Sequence, residues 1–284
     1  MLTYFLIIIV LFFLSIVENI STDVFNEYKK KFFYVSFLLL VLFIGLRWET
    51  GTDWEPYVFV FEEINSISSF FEYWGFMEFG YLLINFIVRM FTDNYTLFLL
   101  FHAVLMFYFL IKAFKSLTNY TQLTLMLFFA ITLGNMGSNR QLLALSLGLY
   151  GLSFLINGNK RMYFVLIGTS LFFHLTSILF GVYYFLNRRI KSTTLFICVG
   201  TAYVLGKTNL PYFIFSSFGN LNFYASQKTD IYLDSAAETL AFSDLSTLGL
   251  LKRLLIFSTF LVLRNRISPK FKGFDTVFNG YILS

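Results

Sequence analysis

Apolar runs of helix length follow one another along most of this 284-residue chain, and charged residues gather in short clusters between them. The hydrophobic fraction is 57%, the charged fraction is 13% and the mean hydropathy is +0.71. A typical soluble domain has about 25% charged residues, so no stretch is polar enough to form a separate soluble domain. The pattern predicts an all-α protein, a polytopic transmembrane helix bundle of about 8–10 helices, some of them short or re-entrant.

The net charge of +5 does not indicate a nucleic-acid partner, because the basic residues cluster at the ends of apolar runs, where orientation signals belong. The partners that this placement predicts are membrane lipids. The single cysteine, Cys198, excludes an internal disulfide and a metal site built from several cysteines. With two histidines and no Asp-x-Asp pair, we expect neither a metal site nor a cofactor.

We expect residues 1–284 to form a single polytopic membrane domain. Three consecutive lysines at 29–31 favour the cytoplasmic side. Residues 47–78 and 207–247 are therefore expected to be extracytoplasmic loops. Within the first loop, the aromatic and acidic stretch 55–78 predicts one amphipathic helix at the membrane interface. The last apolar run, 274–284, is too short to span a bilayer, so we expect the sequence to be truncated at its C-terminus.

One apolar run must enter the membrane and return on the same side. Lys160 and Arg161 favour the cytoplasm, and this requires Arg140 to lie outside. If every earlier run spans, Arg140 falls inside. We expect the short run Leu123–Leu133 to be the re-entrant one, and the run 162–186 to be a hairpin that lifts His174 toward the outer side.

The densest polar cluster beside a membrane-length run lies between Gly45 and Tyr57. Gly51 permits a tight turn between its charges. Arg47 is a candidate phosphate clamp, since a planar guanidinium suits phosphate. Asp53 is a candidate base or orienting carboxylate. The alternative is an exposed ion pair, or an arginine that snorkels to the headgroups.

Four further ionisable residues stand out in this apolar sequence. Glu78 is a candidate acid–base group, although a carboxylate before a helix also suits the helix dipole. Arg140 opens a helix, where its positive charge is unfavourable beside the positive end of the helix dipole. An anionic partner such as a phosphate would compensate, so a phosphate-binding role is predicted. His174 is a second candidate base, or a residue hydrogen-bonded across helices. Arg253 could meet a second phosphate or anchor its helix.

Polar and aromatic residues beside these charges are candidates for sugar binding. Amide side chains offer both donors and acceptors, and the aromatic fraction of 21% suits either sugar stacking or lipid contact. The predicted sugar-binding residues are Thr52, Trp54, Tyr57 and Gln141, and Asn135 and Asn139 add sugar-type hydrogen-bond partners beside Gln141.

Four motifs in this order resemble the EpsG family of Wzy-like bacterial polymerases. They are Arg47 with Gly51-Thr52-Asp53-Trp54 and Tyr57, then Glu78-Phe79-Gly80, then Arg140-Gln141 with Ala144, then Phe173-His174-Leu175-Thr176. The resemblance covers about residues 45–185 and, weakly, Lys252-Arg253. It implies a bundle that is glycosyltransferase-C-like at most.

The resemblance implies polymerisation of exopolysaccharide, capsule or O-antigen outside the bacterial cytoplasmic membrane. A polyprenyl-diphosphate-linked oligosaccharide would pass its chain to a hydroxyl of a second lipid-linked unit, with flippase and chain-length regulator proteins as partners. Arg47 and Arg140 would stabilise the diphosphate, and Asp53, His174 and Glu78 compete as the base in that order. A lipid-linked glycan flippase and a membrane O-acyltransferase acting on glycans remain alternatives.

Overall fold

In the part of the chain that the computed structural model describes, all regular secondary structure is helical. The structure describes residues 2–20, 23–51, 53–135, 137–206, 208, 210–219 and 247–283, and these contain no strand. The predicted all-α class is therefore confirmed. The chain divides into two compact units, Met1–Val182 and Tyr183–Ser284.

The first unit contains nine α-helices in its described residues, followed by the 3₁₀ segment Leu175–Val182. The helices are α1 (Leu2–Asn19), α2 (Asp23–Gly45), α3 (Trp54–Glu63), α4 (Ile67–Glu72), α5 (Phe79–Arg89), α6 (Tyr95–Leu117), α7 (Thr121–Thr132), α8 (Asn139–Ile156) and α9 (Lys160–Leu171).

The second unit contains α10 (Tyr183–Leu186), α11 (Ser192–Gly206), α12 (Leu210–Gly219), α13 (Thr247–Ile267) and α14 (Phe274–Leu283). Part of the expected long loop 207–247 is thus helical, and residues 220–246 lie outside the described residues. Buried aromatic rings join α13 to α14, with Phe257 and Phe278 stacked at 6.1 Å.

Helix α6 is the one helix among the described residues that is both long and apolar enough to cross a membrane. Its 23 residues rise about 34 Å, which exceeds the roughly 30 Å of a hydrocarbon core. Asn94 caps its first turn by accepting a hydrogen bond from the Thr96 backbone N–H (2.8 Å). The apolar parts of the other described helices are shorter, for example Lys31–Gly45 within α2, so the polytopic arrangement stays a prediction.

Contacts at helix ends define one face of the first unit, which we call face A. Trp48, just after α2, donates from Nε1 to Thr96 Oγ1 at the start of α6 (2.8 Å). Gly51 packs on Gly137, which precedes α8; a Cβ atom at Gly51 would lie 2.6 Å from the Gly137 Cα. The end of α2 and the starts of α6 and α8 therefore lie together at face A.

The opposite end of the same unit, face B, is defined by two other contacts. Near the end of α1, the Glu18 carboxylate accepts a hydrogen bond from the Gln122 backbone N–H at the start of α7 (3.0 Å). Asn157, after α8, donates from Nδ2 to Ser116 Oγ near the end of α6 (3.0 Å). Helices α6 and α8 therefore run from face A to face B, and α7 runs back from face B to face A.

The prediction that Leu123–Leu133 is re-entrant is wrong. Helix α7 starts at face B and leads to Gly137 at face A, so it crosses the unit rather than returning. The run that stays on one side is α5, because the chain enters α6 at face A directly after it. Both runs are short and apolar, and only their end contacts distinguish them.

Two other segments differ from the sequence expectation in detail. Residues 55–78 form two helices rather than one, since Ser66 begins α4 with a reciprocal capping box to Ser69. The run 162–186 breaks before His174, as predicted, and its second half consists of the 3₁₀ segment Leu175–Val182 followed by the single α-helical turn of α10.

Candidate active site

The Glu78 carboxylate joins two cationic or titratable side chains at face A. Its Oε2 atom accepts a hydrogen bond from Arg140 Nη1, and its Oε1 atom lies 3.0 Å from His174 Nδ1. The three side chains are only 16–19% exposed. Residues that are 62 and 96 positions apart in the sequence thus form one partly buried cluster.

Close backbone packing at Gly80 brings Glu78 to His174. The Gly80 backbone N–H donates to the Phe172 carbonyl oxygen (2.7 Å), and a Cβ atom at Gly80 would lie 2.8 Å from that oxygen. Any side chain here would push the start of α5 away from the turn that carries His174. Glu78 is the residue before α5, where its negative charge also suits the helix dipole.

Arg140 is held on its other side by Tyr57. Its Nε atom donates to the Tyr57 hydroxyl (3.4 Å), and the guanidinium lies 5.5 Å from the Tyr57 ring centroid, within cation–π range. Arg140 is the second residue of α8, where its charge opposes the helix dipole, so the Glu78 carboxylate supplies the compensating partner.

Arg47 reaches the same end of α8 through the residue that precedes Arg140. Its Nη2 atom donates to Asn139 Oδ1 (2.6 Å), and Asn139 is 2% exposed. The contact between Gly51 and Gly137 brings the two loops together, because neither residue has a side chain to separate them. Gly51 also has φ of +95°, which favours glycine.

A family model described as the EpsG family matches residues 30–284. The chain belongs to the EpsG family. The predicted resemblance is therefore confirmed, over a longer stretch than the motifs alone cover. No curated protein and no solved structure matches the chain. Membership of the EpsG family suggests a membrane protein of polysaccharide biosynthesis with a polysaccharide polymerase-like function.

The electrostatics of this EpsG-family site favour an ionised Glu78. Burial opposes its charge, but the hydrogen bond with His174 and the charge of Arg140 outweigh burial and lower the pKa of Glu78 to about 2. Burial raises the pKa of Tyr57, although Arg140 opposes this effect, so the phenol stays protonated at neutral pH. The site thus combines a fixed anion, two cations and a histidine.

The remaining predicted residues that the structure describes do not take part in the hydrogen bonds that join Glu78, Arg140, His174 and Tyr57. Asp53 precedes α3 and is partly exposed, and its charge acts on Tyr57. Trp54 is partly exposed, and Gln141 is exposed directly after Arg140. Thr52 lies outside the described residues. Arg253 is exposed on α13 of the second unit.

Two polar residues that were predicted to contact sugar instead support the arginines of the site. Tyr57, predicted to bind sugar, is 1% exposed and supports Arg140. Asn139 holds Arg47. In the sequence, both residues stand out only because they lie near a candidate arginine or aspartate. That position does not distinguish a residue that contacts the ligand from one that supports a neighbouring side chain. Among the described residues, no group of three or more His, Cys, Asp or Glu side chains could hold a metal ion.

Proposed function

We propose that this EpsG-family chain is a Wzy-like polymerase, a multi-pass glycosyltransferase of the bacterial cytoplasmic membrane with its active site on the extracytoplasmic side. It joins polyprenyl-diphosphate-linked oligosaccharide units into exopolysaccharide, capsule or O-antigen. The observation that carries the proposal is the Glu78 carboxylate, which links Arg140 to His174 at face A. Family membership supports the same class of reaction.

The two arginines supply positive charge for a diphosphate leaving group. A guanidinium has five N–H donors, and Arg140 uses one on Tyr57 and one on Glu78. Its other N–H groups can donate to phosphate oxygens. Arg47, held at the start of the same helix by Asn139, can bind the second phosphate. Charge that develops on the diphosphate is stabilised by such preorganised donors.

His174 is the base that this geometry supports best. An ionised carboxylate only accepts hydrogen bonds, so the contact with Glu78 Oε1 assigns the proton to Nδ1 and leaves the lone pair on Nε2. Nε2 takes the proton of the acceptor hydroxyl while the oxygen of that hydroxyl bonds to C1 of the donor sugar. The C1–O bond to the diphosphate breaks, and the diphosphate leaves with the electron pair. Glu78 stabilises the resulting imidazolium.

The three candidate bases therefore rank differently from the order expected from sequence. Glu78 is a weak base because its pKa is about 2, and its role here is to orient His174. Asp53 remains a second candidate, since it lies in the loop that carries Arg47. We keep Trp54 and Gln141 as proposed sugar contacts, because both have exposed surface beside the cluster.

Purified protein in liposomes, incubated with lipid-linked repeat units, tests the proposal. Wild-type protein is expected to give a ladder of glycan lengths on a gel. Arg140→Ala and His174→Ala are each expected to reduce ladder formation at least about 100-fold, as removal of an acid–base group or of a transition-state donor typically does. Arg161→Ala, an exposed arginine of the same unit, is the control and should leave the ladder unchanged.

The same assay separates the alternatives. Translocation of the lipid-linked unit without chain growth indicates a flippase, and transfer of an acyl group to the glycan indicates an O-acyltransferase. Either result refutes the polymerase. An unchanged ladder from both Arg140→Ala and His174→Ala refutes the site while leaving the reaction class intact. Flippase and chain-length regulator proteins are the proposed partners of the working enzyme.

A further inference from the structure

The second unit carries a basic pocket that the proposed polymerase reaction does not use. Arg189, Ile190, Lys191, Ser192, Thr193 and Arg264 line an open cavity of about 510 Å³. Small-molecule sites typically measure about 300–1,000 Å³. Three of the six lining residues are cations, and they come from two segments that are more than 70 positions apart.

Specific hydrogen bonds fix the pocket wall. Arg264 is 3% exposed, and its Nη1 atom donates to the Ile190 carbonyl oxygen (2.7 Å). Arg189 donates from Nη2 to Asn265 Oδ1 (2.6 Å). The turn that carries Arg189 and Lys191 is therefore bonded twice to the last turn of α13. This arrangement is more ordered than orientation signals alone require.

The positive charge of the pocket is only partly neutralised by its described neighbours. Asp275 accepts from Arg264 Nε through Oδ1 (2.7 Å) and from Ser268 Oγ through Oδ2 (2.7 Å). Both of its oxygens are thus occupied, by Arg264 and a serine. Arg189 and Lys191 are exposed, and Asp275 does not bond to either of them.

A helix N-terminus adds donors to the same cavity. Helix α11 begins at Ser192, and the Lys191 carbonyl accepts the first hydrogen bond, from the Leu195 backbone N–H (3.1 Å). The first backbone N–H groups of a helix have no partner within it and favour an anion. Ser192 and Thr193 also bring hydroxyl groups to the lining. The buried Arg264 guanidinium itself is bound within the pocket wall, since its Nη2 atom lies 2.5 Å from Asp275 Oδ1 as an ion pair.

We propose that this pocket binds a phosphate group through Arg189, Lys191 and the N-terminus of α11. Arginine forks and helix N-termini both suit phosphate oxygens. The phosphate belongs either to the headgroup of an anionic lipid or to a soluble phosphorylated molecule. The proposal is independent of the polymerase reaction, because every residue that carries it lies in the second unit.

Full-length protein in nanodiscs tests both sources at physiological salt. In one arm, native mass spectrometry counts bound phosphatidylglycerol in phosphatidylcholine nanodiscs. In the other, inorganic phosphate is titrated calorimetrically. The double variant R189Q/K191Q is expected to weaken binding at least about tenfold in one arm, because each charge-assisted hydrogen bond lost contributes at least about tenfold in affinity. Both substituted side chains are exposed, so folding should be preserved.

The matched control is K270Q/K272Q, which removes the same charge from exposed lysines of the same unit that do not line the pocket. It is expected to change binding by less than about threefold, since it removes only long-range attraction. A loss confined to phosphatidylglycerol identifies a lipid headgroup, and a loss confined to inorganic phosphate identifies a soluble ligand. Equal losses in both double variants, no loss in either, or no binding by the wild type refutes the pocket.

Discussion

Replacing Glu78 by glutamine should destabilise the protein by a predictable amount. Although burial opposes the charge of Glu78, His174 and Arg140 lower its pKa from 4.5 to about 2. At about 1.4 kcal/mol for each tenfold change in proton affinity, the ionised carboxylate stabilises the folded state by about 3 kcal/mol. Glu78→Gln keeps the shape and removes the charge, so it should lower the free energy of unfolding at pH 7 by about this amount.

The pH dependence gives a second signature of the same cluster. Because the folded-state pKa lies below the ordinary value, the stabilisation is complete above about pH 4.5 and is lost as the pH falls toward about 2. Wild-type protein should therefore lose stability across this window, and the Glu78 contribution to that loss should be absent from Glu78→Gln.

Reversible unfolding in mixed micelles with sodium dodecyl sulfate, followed by fluorescence of the three tryptophans, measures both quantities. Glu72→Gln is the matched control, because Glu72 is exposed on α4 of the same unit and should change the free energy by less than about 0.5 kcal/mol. If Glu78→Gln unfolds like wild type at pH 7, or keeps the full pH dependence between 4.5 and 2, the ionised cluster does not exist.

Two further substitutions test the packing and the support of the site. Gly80→Ala should destabilise the protein by about 1–3 kcal/mol and abolish most polymer formation, since its Cβ would meet the Phe172 carbonyl. Gly168→Ala, with open space around it, should instead stabilise α9 slightly. Equal effects of the two substitutions on thermal unfolding and on polymer yield would contradict this reasoning. Tyr57→Phe should reduce the polymerisation rate less than about tenfold, because the hydroxyl lies 3.4 Å from Arg140 Nε and contributes about 1 kcal/mol at most. A loss as large as that of Arg140→Ala would make Tyr57 a catalytic residue instead.

The sequence predicted helix positions well where apolar content determines them. Helix α8 begins at Asn139, one residue before the Arg140 that was expected to open it, and the run 162–186 breaks before His174. Helix ends are less well predicted, because hydropathy marks membrane depth rather than helix length. Helix α2, for example, begins at Asp23 and continues through the lysines at 29–31.

The sequence also identified the members of the cluster but not their pairing. Glu78, Arg140 and His174 stood out because ionisable groups are rare in an apolar chain. Nothing in local pattern could show that one carboxylate serves both partners, since the contacts span 62 and 96 positions. The re-entrant run was misassigned for the same reason: α5 and α7 are alike in composition and differ only in distant contacts at their ends.

The meeting of Gly51 and Gly137 has a mechanical consequence. Main chain packs against main chain with no intervening side chain, so the segment after α2 and the segment before α8 are in direct backbone contact. A shift in one must carry the other. Arg47 and Arg140 would then move together, so that one displacement would weaken the contacts of both arginines with the proposed diphosphate and favour its release.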